Sequence, residues 1–222
     1  MKYVSIAIDG PAGSGKSTIA KQIARELGFS YIDTGAMYRA ITLKALNLNI
    51  PDLGDEKNYS FMKDTKLDFI DNKMYMDSID VSEEIRTEKI VKNVSLVSSL
   101  LYVREELVSL QRELAKRCNC VMDGRDIGTN VLTDADLKIY MTASVEVRAK
   151  RRYYEQLETG VSNMTYDEVV ADLIRRDTYD STRKHNPLRK ADDAIEIDTS
   201  DLSIEEVSQT IMHLFKELKK HE

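Results

Sequence analysis

Tryptophan is absent from the 222 residues, which include only two cysteines, three prolines and nine glycines. So little glycine and proline excludes a collagenous, linker-rich or low-complexity chain. Cys118 and Cys120 stand one residue apart. That spacing does not suit a loop-closing disulfide, and no second cysteine pair exists to complete a zinc site. Both thiols are expected to be reduced and structural. His185, His213 and His221 are scattered and form no ligand pattern. No apolar run approaches the roughly 18 to 20 residues of a membrane span. Met1-Lys2-Tyr3 leads at once into a strand-like pattern, so no targeting segment is expected and a cytoplasmic location is. Positive charge is also in deficit. Against 38 Asp and Glu stand 32 Lys and Arg, a net charge of −6, which disfavours a polymeric nucleic-acid partner.

What is present suffices for one core, since hydrophobic residues make up 42% of the chain. Alternation in Tyr3–Asp9 predicts a buried strand. Lys16–Leu27 reads as a helix with Ile19, Ile23 and Leu27 on one stripe and Gly28 as its stop. Phe29–Asp33 predicts a second strand, and Ala36–Leu48 a second helix. From Pro51 to about Thr87 the texture changes. Residues 66–70 and 74–76 flank the turn-like Asp71-Asn72-Lys73 as a hairpin, with a third short strand at 79–81. Ile90–Arg117 reads as helix in two pieces. Residues 120–122, 137–141 and 194–198 predict further strands. Ser144 caps a basic helix. Thr165-Tyr166-Asp167-Glu168 and Ser203-Ile204-Glu205-Glu206 are capping boxes, the first opening a helix towards Arg176. Strands alternating with helices predict an α/β fold, a parallel sheet covered on both faces.

Gly10-Pro11-Ala12-Gly13-Ser14-Gly15-Lys16-Ser17, with Thr18 following, satisfies G-x-x-x-x-G-K-[ST] between a predicted strand and a predicted helix. The glycines let backbone N–H groups converge on phosphate oxygens, and the helix N-terminus adds a favourable dipole. Lys16 suits the β- and γ-phosphates, and Ser17 suits Mg²⁺. A nucleoside triphosphate site follows, of the three-layer α/β/α P-loop type. A switch GTPase would carry Asp-x-x-Gly, which is missing. Thr65-Lys66-Leu67-Asp68 imitates a guanine motif but lies inside the predicted hairpin. A motor ATPase would need an acidic pair ending a hydrophobic run. Cys120-Val121-Met122-Asp123 ends in one Asp and continues Gly124-Arg125-Asp126, which suits a second anionic substrate at the sheet edge.

Arginines are distributed to match. Arg39, Arg104 and Arg125 follow strands or lie on predicted helices. Arg148, Lys150, Arg151 and Arg152 form one cluster, and Arg175, Arg176, Arg183, Lys184, Arg189 and Lys190 another. A transferring phosphoryl group spreads charge over three oxygens, so positioning and charge neutralisation supply most of the rate. Arginine grips phosphates bidentately. Residues 148–163 read as a short lid that excludes water.

Nearly end to end, the chain resembles bacterial cytidylate kinases of the nucleoside monophosphate kinase superfamily. The resemblance is carried by Ile8-Asp9-Gly10-Pro11 entering the P-loop, Asp33-Thr34-Gly35-Ala36-Met37-Tyr38-Arg39, Val81-Ser82-Glu83-Glu84-Ile85-Arg86, Asp123-Gly124-Arg125-Asp126-Ile127-Gly128, and Arg176-Asp177 with Asp180 and Arg183. It implies ATP-dependent phosphorylation of CMP and dCMP with Mg²⁺, residues 51–87 being the monophosphate-binding insertion in a P-loop core of 1–50 and 88–222. It implies that Thr34, Ser95, Arg104 and Asp126 surround the cytosine, with Ser98 and Ser99 close to Ser95 in sequence. Arg39, Arg125 and Arg183 would hold the acceptor phosphate, and Arg176 and Asp180 the sugar and the closing lid. Lys16, Arg39, Arg125, Arg176 and Arg183 would be the catalytic cations. Thr34 departs from the serine of some members and keeps the hydroxyl. The rival readings are a P-loop kinase for UMP or another small acceptor, and a nucleotide-switch interaction protein. A monomer is expected.

Overall fold

The computed structural model describes residues 3–160 and 163–220. Five parallel strands form the central sheet: β1 (Ser5–Asp9), β2 (Ser30–Asp33), β6 (Cys120–Gly124), β7 (Leu137–Thr142) and β8 (Ile195–Asp198), in the spatial order β2-β6-β1-β7-β8. Alternation along β1 explains its central place. Ile6 and Ile8 face one apolar cluster, with Ile19 and Ile23 of α1 (Lys16–Leu27) and Val207, Ile211 and Phe215 of α7 (Ile204–Lys220). Ala7 faces the other, with α2 (Thr34–Asn47), α3 (Glu88–Val97) and α4 (Leu101–Ala115). Both faces are thus covered by helices, as a parallel sheet requires.

The interpolated segment has two parts. A 3₁₀ stretch, Glu56–Asp64, precedes an antiparallel sheet of β3 (Leu67–Ile70), β4 (Lys73–Met76) and β5 (Ile79–Asp80). Asp71 and Asn72 both have positive φ, 50° and 62°, and Asp77 and Ser78 repeat this. These are two-residue turns whose twist matches antiparallel strands, so Lys73 belongs to β4 rather than to the turn. The 3₁₀ stretch was not foreseen. Tyr59 and Met62 of that stretch, with Leu67, Met74 and Met76, join the same apolar cluster as α2 and α4.

Helix α5 (Val145–Thr159) starts at the Ser144 cap and ends at Gly160, which is left-handed with φ 65°. It supplies most of the segment expected as a lid; of the rest, residues 161 and 162 lie outside the described residues. Helix α6 (Tyr166–Thr182) opens on the expected capping box but runs past Arg176 to Thr182. Residues 177–182, Asp-Thr-Tyr-Asp-Ser-Thr, are weak helix formers, held here by contacts of Asp177 and Asp180 with other elements.

Candidate active site

The strand ends place the site. The P-loop leaves β1 at Asp9 between β6 and β7, the edge where open α/β sheets bind ligands. Three of its glycines have positive φ, and a Cβ on Gly10 would lie 1.9 Å from the Met141 carbonyl oxygen. Side chains there are excluded by backbone, so the loop stays close against β7. Gly15 adopts a left-handed conformation at the N-cap of α1, leaving the first backbone N–H groups of that helix to an anion.

Lys16 is buried and folds back on the loop, donating to the Pro11 carbonyl at 2.6 Å and to Ser14 Oγ at 3.3 Å. Burial, then the charge of Arg125, lowers its ammonium pKa, so an arriving phosphate would restore a counter-charge. Ser17 Oγ donates to Asp123 Oδ2 at 2.8 Å. Burial, reinforced by the nearby Asp33 carboxylate, raises the Asp123 pKa. Asp9 accepts from the backbone N–H groups of Ile127 and Gly128 at 2.8 and 2.7 Å. Burial pushes its carboxyl up to about 6 against those two hydrogen bonds.

α2, the residue after β6 and α6 carry three of the predicted arginines, Arg39, Arg125 and Arg176, of which the last two are neighbours. Arg39 pairs with Asp33 at 3.1 Å, Asp33 also capping α2 through the Ala36 N–H. Burial alone would raise the Asp33 pKa, but Arg39 holds it below the ordinary value. Arg125 pairs with Asp180 at 2.8 Å. Arg176 lies beside Arg125; burial and that like charge lower its pKa to about 10. The Nε atoms of Arg39 and Arg176 are buried without a hydrogen-bond partner among the described residues. Orphaned buried donors are rare; the Tyr102 hydroxyl and Gln111 Nε2 are the others among the described residues, and of the four only those of Arg39 and Arg176 sit on cationic side chains able to take an anion.

Deeper, Asp126 lies between two buried guanidinium groups. Arg104 donates to its Oδ2, and Arg183 to its Oδ1 at 3.1 Å. Asn130 Nδ2 adds a third donor at 3.0 Å. Arg104 also bonds Asn186 and the Ser98 carbonyl and lies over the Tyr38 ring, 5.7 Å from its centroid. Thr34 is buried and donates to the Asp123 carbonyl at 2.8 Å. Ser95 is buried on α3, whereas Ser98 donates to its carbonyl and Ser99 bonds Tyr179. A groove of about 540 Å³ along α4 also touches Arg104, Asn130 and Asn186 but no P-loop residue.

The two basic clusters of the sequence disperse. Arg148 is buried beneath the P-loop, bonded to the Ala12 and Ala143 carbonyls and to Asp177. Arg151 bonds Thr199, Arg152 pairs with Glu155, and Arg175 with Asp172. Sequence reasoning did not assign Asp9, Tyr31, Asp123 or Asn130 to the site. Asp9 and Asp123 were findable as acids ending predicted strands. Nothing local marked Tyr31 or Asn130.

The family model described as cytidylate kinase matches residues 6–217. A cytidylate kinase of Fusobacterium nucleatum is 50% identical over 221 residues, covering 99% of this chain and all of its own. That of Halalkalibacterium halodurans is 49% identical, covering 98% and 99%, and that of Bacillus subtilis 48%, covering 95% and 96%. Among solved structures, a shikimate kinase from Bacteroides thetaiotaomicron superposes with a TM-score of 0.50 at 15% identity, covering 96% and 98% of the two chains, a likeness of fold. With a match across nearly its whole length and relatives at about half identity, the chain belongs to the cytidylate kinase family.

Proposed function

We propose that the protein transfers the γ-phosphoryl group of ATP to CMP or dCMP, giving the nucleoside diphosphate and ADP. The observation that carries this is Asp126, a carboxylate fixed by Arg104 and Arg183 at the strand edge beside the P-loop. A carboxylate accepts from the cytosine N4 amine, whereas the uracil O4 would meet it acceptor to acceptor. Arg104 is suited to donate to cytosine O2 and N3, which the uracil N3–H would frustrate. Thr34 and Ser95 are assigned to the same base, and Asp180 with Arg176 to the sugar.

Transfer is direct. An oxygen of the acceptor's α-phosphate forms a bond to the γ-phosphorus as the bond to the β-bridging oxygen breaks. No enzyme nucleophile is required. Lys16, Arg39, Arg125, Arg176 and Arg183 neutralise the charge that spreads over the transferring group. The orphaned Nε atoms of Arg39 and Arg176 support their share of that role. Ser17 and Asp123 offer the hard oxygen donors that Mg²⁺ accepts, and they would hold it together with nucleotide phosphates. Bound there, Mg²⁺ supplies charge neutralisation on the donor phosphates.

Every group named belongs to one chain, so a monomer suffices. No helix among the described residues is long and apolar enough to cross a membrane, and both cysteines are free thiols, which supports the cytoplasm as its place. The test is ADP release from Mg·ATP with and without CMP. Acceptor-dependent release is expected; release no faster than in buffer refutes the proposal.

A further inference from the structure

Tyr31 is a side chain the transfer reaction does not itself call for. It lies on β2, one strand away from Asp123, with Tyr31 opposite Val121 in the parallel register. Its ring is buried with Ile19, Ile23 and Val121, and Lys21 of α1 lies over it, 5.6 Å from the centroid. Its hydroxyl reaches along the sheet edge and donates to Asp123 Oδ1 at 2.8 Å. Ser17 Oγ donates to the other oxygen, Oδ2, also at 2.8 Å. The two oxygens of one carboxylate are therefore divided between a buried phenol and the P-loop serine. A tyrosine hydroxyl stays protonated at neutral pH and can serve as a permanent donor. Its rigid ring, buried in that cluster with Lys21 over it, restricts where Asp123 can lie.

We infer that Tyr31 is a positioning residue for the divalent cation: its hydroxyl holds Oδ1 of Asp123 so that Oδ2 stands at Ser17, ready as a ligand. This rests on the reading of Ser17 and Asp123 as the cation-holding pair. Without the hydroxyl, the carboxylate can rotate and Oδ1 is left buried without its donor. Ligand-orienting partners of this kind typically change metal affinity roughly tenfold or more.

The experiment is isothermal titration calorimetry with ATP, in Mg²⁺ and in EDTA, on the wild type, Tyr31→Phe, Asp123→Asn and the double variant. The phenylalanine keeps the ring and so the packing. The inference predicts that Tyr31→Phe binds ATP in EDTA as tightly as the wild type but loses roughly tenfold of the affinity gained from Mg²⁺. In the Asp123→Asn background the second substitution should then cost nothing further in Mg²⁺. Full retention of the Mg²⁺ gain in Tyr31→Phe overturns the inference. So does an equal loss in Mg²⁺ and in EDTA, which would make Tyr31 a packing residue only. A wild type that gains no affinity from Mg²⁺ would instead overturn the assignment of Ser17 and Asp123.

Discussion

Asp9 and Gly128 are joined by a 2.7 Å hydrogen bond from the Gly128 backbone N–H to Asp9 Oδ2. Asp9 stands immediately before the P-loop, and Gly128 lies in the short helical stretch, Ile127–Val131, that follows Arg125 and Asp126. Together with the Ile127 contact at 2.8 Å, one buried carboxylate ties the start of the P-loop to the residues that follow Arg125 and Asp126.

That carboxylate should leave a pH signature in stability. Its folded pKa is raised from 3.8 to about 6 by burial, so the folded state binds the proton more tightly than the unfolded chain. The contribution is fully present below pH 3.8 and is lost as pH rises through about 6, at most about 3 kcal/mol. Chemical denaturation between pH 4 and 7 should show the wild type losing stability relative to Asp9→Asn as pH rises. A pH-independent difference between the two proteins would contradict this.

Asp126→Asn is expected to change selectivity and stability together. An asparagine offers an N–H₂ to uracil O4, so the CMP-to-UMP ratio of kcat/KM should fall about 10- to 100-fold, equivalent to about 1–3 kcal/mol. Leaving Arg104 and Arg183 without their buried counter-charge should cost about 3 kcal/mol in urea unfolding. An unchanged ratio would remove Asp126 from the base site.

Arg39→Ala should lower kcat/KM for CMP on the order of 100-fold, while ATP affinity measured by calorimetry stays near the wild-type value. Unchanged rate and unchanged CMP affinity would refute the phosphate role of Arg39.

Gly10→Ala tests the close approach of the P-loop to β7. Its new methyl would sit 1.9 Å from the Met141 carbonyl oxygen, and backbone must shift. A loss of roughly 3 kcal/mol in thermal or urea unfolding is expected, with ATP binding weakened alongside.

Much of the fold was legible because its signals are local. The P-loop, the helix after it and the capping box at Thr165 each occupy a few consecutive residues, and α1 and α6 begin where those residues require. The arginines were visible in the sequence as a set, but their charge alone did not separate those beside Asp180 and Asp126 from those paired with surface acids such as Glu155 and Asp172. What escaped depends on distance along the chain. Tyr31 and Asp123 are 92 positions apart, and Asp9 and Ile127 are 118 apart, so no spacing relates them. Arg148 shows the same dependence on distance. It opens the segment read as a lid, and its bonds to Asp177 and two carbonyls beneath the P-loop come from distant positions that the cluster itself does not reveal. The 3₁₀ stretch at 56–64 has no clean period, and Tyr59 and Met62 are ordered by the core they meet.

The most direct test compares CMP, dCMP, UMP, AMP and dTMP as acceptors in a coupled ADP-release assay with Mg·ATP. The account predicts the highest kcat/KM for the cytidine monophosphates, by at least roughly tenfold over UMP. Turnover fastest with UMP, or equal with every acceptor, would contradict it.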